Sequence, residues 1–490
     1  MRILAVVAAL ALPVLASAQG YRLRIDTRAQ AVAYRGVLLD SVLAADTITG
    51  PTGGAATSDG FAVTCAPGNA YCSFFRPGTL QHGSPITSTA NLLLWGVGAP
   101  GLSVHATARL GGALGTADAS PGTEPTAQLL EGYIQYAVER GTVRLGREIV
   151  TSRLGFVGFD GGELTLKGAS GKLELTGYGG WGLARGSALP ITSPALNPLD
   201  DFQPTDRQIV AGASAGWMTS RTSLRVTYLR EVDPSVDYFV SERVGVDVAL
   251  RPLRAWSLTA GADYDLAAGW WGSVEAALGF SPVGSRVTGT VGVRRYRPHF
   301  DLWTIWGAFS PVPYRAVDAS LSFAPNAMLR LRGSGQRYAF DAADASTPLV
   351  SYETSGWRFS WGATLTVASR WTIDGGYHSE FGPGAASRGF DGALAFNAKP
   401  FTIGMQAATL DRPLEYRFDN ASLTLYGLNA VYRASWWRVQ VDASRYVEDR
   451  QRPDAGAFDW NQLRVSARVV LLFGGSAGGG LTHLPPAVRR

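Results

Sequence analysis

The chain has 490 residues, with 59 glycines, 14 tryptophans, 18 tyrosines, only 17% charged residues and a mean hydropathy of +0.04. Its formal net charge of +5 is too balanced to mark a nucleic-acid-binding surface, and no basic stripe interleaved with aromatics occurs. After the first eighteen residues no stretch approaches the about 18 to 20 apolar residues of a spanning helix, so any membrane crossing must be made by strands.

The chain opens with a short basic start at Arg2, an apolar run from Ile3 to Leu15 and the small residues Ala16, Ser17 and Ala18. Together these predict a secretory signal peptide over residues 1–18 and export of the mature chain from near Gln19. The first strand is expected from Tyr21 to Tyr34, followed by a long polar segment, Arg35 to Ser88. This segment contains the only cysteines, Cys65 and Cys72, in the stretch CAPGNAYC. In an exported loop that spacing predicts a local disulfide. No histidine cluster stands nearby to support a metal site, and no metal or cofactor is expected.

Beyond Ser88, short and long connections alternate. Tight turns are expected at Val97–Gly101, Glu139–Thr142, Ala169–Gly171, Thr219–Arg221, Arg251–Arg254, Ser281–Ser285, Ala324–Asn326, Ala368–Arg370, Ala398–Pro400 and Arg433–Ser435. Longer segments are expected at Gly112–Thr126, Val150–Gly161, Trp181–Asp206, Asp341–Thr354, Phe381–Ser387 and Glu448–Ala457. Short periplasmic turns alternating with long extracellular loops are the connectivity of a transmembrane antiparallel β-barrel. The fold class expected is therefore all-β, one barrel over residues 19–473 with about 22 strands, in a range of about 18 to 24. Aromatic belts at the two interfaces account for the tryptophan and tyrosine content.

Within the strands apolar residues recur with period two, which assigns one face to lipid and the other to the interior. Val244, Val246, Val248 and Leu250 turn Arg243 and Asp247 inward; Trp357, Phe359 and Trp361 do so for Arg358; Trp371, Ile373 and Tyr377 for Asp374; Trp437, Val439 and Val441 for Arg438 and Asp442. Further inward candidates are Glu131, Arg144, Arg225, Asp263, Arg330, Arg332, Arg464 and Arg468. No dense arginine ladder is read among them. Each is a pore-lining candidate or, alternatively, half of a cross-strand pair that holds a wide barrel in shape. The last strand has the clearest pattern: Leu463, Val465, Val469, Leu471 and Phe473 alternate with polar residues and close the barrel, leaving residues 474–490 as a flexible periplasmic tail.

The stretch LEGYIQYAVERGTVRLGREIVTSRLGFVGFDGG, Leu130–Gly162, carries a Gly-Arg pair, Gly146 and Arg147, at a strand end and a Phe-Asp-Gly, Phe159–Gly161, opening the next. It resembles the strand-turn-strand and following loop of bacterial porin-like outer-membrane proteins, with Glu148 where glutamine is commoner in that family. The resemblance implies an outer-membrane barrel in which the loop after that strand contributes to a constriction. Two other segments are candidates to narrow the pore by folding inward, Arg35–Ser88 and Trp181–Asp206.

The functional expectation is a passive outer-membrane channel for small hydrophilic solutes or ions, with outer-membrane lipid and the barrel-assembly machinery as its partners. The alternative is a structural barrel enclosing a lumenal or periplasmic partner protein, a lipoprotein or an electron-transfer protein. An outer-membrane enzyme is the third reading, resting on His105 beside Ser103 and on His378 beside Asp374 and Glu380.

Overall fold

The computed structural model describes residues 18–476 apart from 51–53, 62, 67, 115–125, 184–206, 233, 235–239, 298–312, 342–353, 383–384, 412–420 and 451–460. The predicted signal peptide and nearly all of the predicted tail lie outside the described residues.

The chain begins with β1 (Gly20–Leu43), the short pair β2 (Ile48–Thr49) and β3 (Ala55–Ala56), then β4 (Tyr71–Gly83), β5 (Pro85–Trp95) and β6 (Leu102–Ala113). There follow β7 (Ala127–Val138), β8 (Gly141–Ser152), β9 (Gly155–Lys167), β10 (Leu173–Gly182), β11 (Ile209–Met218), β12 (Thr222–Val232) and β13 (Val240–Leu253). Next come β14 (Trp256–Asp265), β15 (Trp270–Phe280), β16 (Val287–Tyr296), β17 (Tyr314–Phe323), β18 (Leu329–Phe340) and β19 (Ser355–Val367). The last six are β20 (Trp371–Gly382), β21 (Ala385–Ala398), β22 (Phe401–Asp411), β23 (Ala421–Arg433), β24 (Trp437–Arg450) and β25 (Gln462–Ser476).

From β5 to β25 each strand pairs antiparallel with the next, and β1 joins both ends of the series. One edge of β1 pairs with β25 from Gly20 opposite Ser476 to Val32 opposite Arg464, and the other pairs with β5 from Gly20 opposite Trp95 to Ala29 opposite Ile86. The result is a closed 22-stranded antiparallel barrel. Closure leaves the membrane-spanning ladder without an edge, as a strand-built membrane crossing requires. The alternation seen in the sequence sets the faces. Val291, Val293, Val317, Leu321, Trp361, Ile373, Ile403, Leu428, Leu463 and Phe473 are exposed on the outside, although they are apolar. Such an exterior is stable only in lipid.

Three sequence expectations change. The first strand does not end at Tyr34: β1 continues to Leu43 and pairs with β4, from Val32 opposite Gly83 to Leu43 opposite Tyr71. The segment 35–88 is thus mainly a β-hairpin that continues β1 and β5, not a long loop. At its tip Cys65 and Cys72 are joined by a disulfide, with Cys72 fully buried and Phe61 packed on Phe74 at 5.7 Å between ring centres. The expected long segment Val150–Gly161 is instead strand on both sides of a two-residue turn, Arg153–Leu154, with Ser152 opposite Gly155. Likewise Phe381 and Gly382 belong to β20 and Ala385–Ser387 to β21, with Gly382 opposite Ala385. Each of these segments is rich in glycine or in residues that break the alternation, so its composition reads as loop.

Glycines shape the β8–β10 region. Gly146 of β8 stands opposite Gly161 of β9, and Gly161 opposite Gly180 of β10. A Cβ on Gly161 would lie 2.1 Å from the carbonyl oxygen of Gly179, and one on Gly180 would lie 2.3 Å from that of Asp160. Gly146 also has φ +139°, which only glycine adopts without strain. This row of missing side chains lets three strands crease together, so the β8–β9 tip leaves the wall.

Candidate functional site: a strap across the barrel interior

Above the crease, the β8–β9 turn lies inside the barrel. Leu154 is buried with Val157 and Phe159 of β9, Tyr178 of β10, Val210 of β11 and Leu229 of β12, an apolar cluster on the inner faces of four consecutive strands. The Phe159 and Tyr178 rings stack at 5.4 Å. Burying such side chains stabilises by about 1.5 to 3 kcal/mol each, which fastens the tip to the wall beneath it.

Arg153 then reaches further around the interior. Its Nε donates to Asp247 Oδ1 at 2.6 Å on β13, its Nη1 to Ser273 Oγ at 3.1 Å and its Nη2 to Glu275 Oε1 at 2.7 Å on β15. The side chain is only 13% exposed. Burial opposes its charge, but the hydrogen bonds and negative charges of Glu275 and Asp247 together raise its pKa. Arg243 Nη1 donates to the Leu154 carbonyl at 2.9 Å, holding the turn's backbone as well. A Cβ on Gly261 would collide with the Arg153 guanidinium at 1.8 Å, and one on Gly245 would touch Leu154 at 3.1 Å. The glycines on β13 and β14 are therefore the space the strap occupies. Because β10–β12 separate β9 from β13, the contact spans a sector of the interior.

A second sector, β24–β25–β1–β5–β6, carries a basic surface. Alternate residues of β1, Arg22, Arg24, Asp26 and Arg28, line a recess of about 860 Å³ together with Thr87, Asn91, His105, Gln440, Asp442 and Arg468. Asp26 is shared: Arg468 Nε donates to it at 2.7 Å and Arg24 Nη2 at 3.0 Å. This is the arginine ladder that was not read from the sequence, although its signal, strict alternation in Arg22-Leu23-Arg24-Ile25, is the same one that located the other strands.

The remaining candidates resolve mostly into contacts within one strand, with the next strand, or across one intervening strand. Arg332 makes a bidentate contact with Asp374, at 2.6 and 2.7 Å, and also donates to Thr364. Arg358 holds Glu380, which also accepts from Tyr338 at 2.8 Å. Arg144 donates to Gln135 and to Glu163 at 3.1 Å, and Arg225 to Glu174 at 3.4 Å. Asp263 accepts from the Ser273 amide at 3.0 Å, Arg438 and Asp442 both bond Gln440, and Arg464 lies over the Tyr446 ring at 5.8 Å. Glu131 stands opposite Thr107, and Arg330 shares the inward face of β18 with Arg332. Only Asp247 and Arg243 belong to the strap. Arg153, Glu275 and Glu148 were missed; Glu148 is 2% exposed, and its Oε1 has no hydrogen-bond partner among the described residues.

Of the histidines, His105 lies 3.5 Å from Ser103 Oγ and stacks on Tyr133 at 4.6 Å, while His378 Nδ1 is 4.0 Å from Asp391. Among the described residues no group of three potential metal ligands converges.

No protein-family model matches the sequence, and no curated protein matches it. Solved structures similar in shape include Pseudomonas aeruginosa OccK3 (OpdO), at 9% identity over 95% of this chain and 99% of that one, with a TM-score of 0.39. The translocation pore of the P pilus usher PapC is 8% identical over 94% of this chain and 100% of its own, with a TM-score of 0.46. The FrpB iron transporter of Neisseria meningitidis is 10% identical over 94% and 83%, with a TM-score of 0.45.

Proposed function

We propose that the protein is a bacterial outer-membrane channel through which small hydrophilic solutes diffuse passively, exported on its N-terminal signal and inserted by the barrel-assembly machinery. The observation that carries this reading is the strap: a barrel of 22 strands is wide, and Arg153 reaches across one sector of its interior to β13 and β15. The solute path runs between the strap and the β1 wall. Glu131, Arg144, Arg225, Arg330, Arg332, Arg358, Asp374 and Arg464 line it as a fixed, hydrated array of both signs, which orients and sorts ions without desolvating them. The arginines of β1, with Arg438, Arg464 and Arg468, give one wall a positive surplus and favour anions. An enclosed partner protein, the second reading, would have to occupy the volume that the strap crosses.

Single-channel recording of the purified barrel in a planar bilayer tests this. Steady openings that enlarge in Arg153→Ala support a strapped pore. A silent, correctly folded barrel overturns it.

A further inference from the structure

The outer surface of β16–β18 departs from the pattern around it. Arg295 and Arg315 stand directly opposite each other, on the lipid-facing side, at the ends of β16 and β17 that lead into the long connection 297–313. Like charges in that arrangement repel. Both guanidiniums share Asp341, at 3.3 and 3.1 Å, and they remain 60% and 71% exposed. Arg337 follows one row deeper, opposite Val317 on one side and Trp357 on the other, with its guanidinium 5.1 Å above the Trp357 ring. Among the described residues it makes no ion pair. Among the described residues the patch thus has three outward arginines to one carboxylate. Elsewhere on the same rim, among the described residues, Arg388 alone pairs with Asp411, at 2.9 Å.

Directly below this patch, Val291, Val293, Val317, Leu321 and Leu331 form an exposed apolar surface. Arginine on a lipid-facing strand is tolerated near the interface and not at mid-membrane, and Trp357 marks that interface. The arrangement matches a molecule with acyl chains below and phosphate above, since guanidinium groups bind phosphate bidentately.

We propose that Arg295, Arg315 and Arg337 form a docking site for the phosphate groups of a phosphorylated glycolipid in the outer leaflet, whose acyl chains lie on the valine and leucine surface beneath. The proposal rests on the outer-membrane location but not on conduction, so a conducting channel that binds no such lipid would sink this proposal alone.

The test is a binding titration of the purified full-length barrel in detergent with diphosphorylated lipid A, read by native mass spectrometry. Dephosphorylated lipid A and inorganic phosphate serve as comparison probes. Wild-type protein should retain diphosphorylated lipid A, and R295Q/R315Q/R337Q should bind it about tenfold more weakly or worse, as expected when charge-assisted hydrogen bonds are lost. R388Q should bind as wild type. Heat-modifiable migration on gels checks that each barrel is folded, and R337Q alone replaces the triple variant if that one fails to assemble. Equal binding by wild type and variant overturns the proposal, as does equal retention of the dephosphorylated lipid. Displacement of the lipid by millimolar inorganic phosphate does so too, because the site would then recognise free phosphate.

Discussion

Arg147 and Asp160 face each other across β8 and β9 and are joined by Arg147 Nε to Asp160 Oδ1 at 2.7 Å, immediately above the opposed pair Gly146 and Gly161. Arg207 adds a second guanidinium to Asp160 at 2.7 Å. The Gly-Arg and Asp-Gly dipeptides of the sequence are therefore partners in one register: the glycines permit the crease, and the charged pair fixes which residues meet at it.

Gly161→Val should prevent the crease, because the new side chain meets backbone that cannot yield. The loss should exceed about 4 kcal/mol, the range of severe backbone and packing clashes. Gly177→Ala, with open space around its Cβ, should be nearly silent. Heat-modifiable migration of the two variants checks the contrast; normal assembly of Gly161→Val would refute the close packing.

Arg153→Ala should release the strap from β13 and β15 and raise single-channel conductance. Its cost in stability should be about 1 to 3 kcal/mol, the value of hydrogen bonds made with charged partners, because the apolar cluster under Leu154 persists. Unchanged conductance in a folded variant would mean that the strap does not limit the path.

Asp26→Asn removes the carboxylate that engages Arg24 and Arg468. The freed positive charge on the β1 wall should shift reversal potential in a salt gradient toward anions. A shift toward cations would contradict the placement of these groups on the permeation path.

Cys65→Ser with Cys72→Ser should loosen only the hairpin tip. Closing so short a loop contributes about 2.5 kcal/mol in the chain-entropy account, so limited proteolysis should cut the tip faster while the barrel core stays protected. Protease resistance equal to wild type would show that Phe61 and Phe74 hold the tip unaided.

Phe473→Asp should impair membrane insertion more than conduction. The ring is exposed on the outside of β25, 6.1 Å from Trp436, where a carboxylate would meet lipid. Quantitative recovery of the variant in membranes would argue against that placement.

The barrel was legible because lipid on one side and water on the other force a period-two code on every spanning strand; β25 shows it from Leu463 to Phe473. The code fails where neither face meets lipid. Beyond Tyr34 the run Val37-Leu38-Leu39 breaks alternation because β1 has left the wall, and Phe156–Gly162 reads as loop because its glycines serve the crease. Arg153 could not be assigned at all: its partners, Asp247, Ser273 and Glu275, are 94 to 122 residues away, and only the folded path brings them together.

The seam between β1 and β25 joins residues 20–32 to residues 464–476, the two ends of the barrel sequence. Without β25, β1 would present an unpaired edge and the wall would be an open sheet, the form most prone to pair with a stranger. A protein built this way cannot be partly inserted and partly sound. Loss of its final dozen strand residues would leave an unsealed sheet, not a smaller pore.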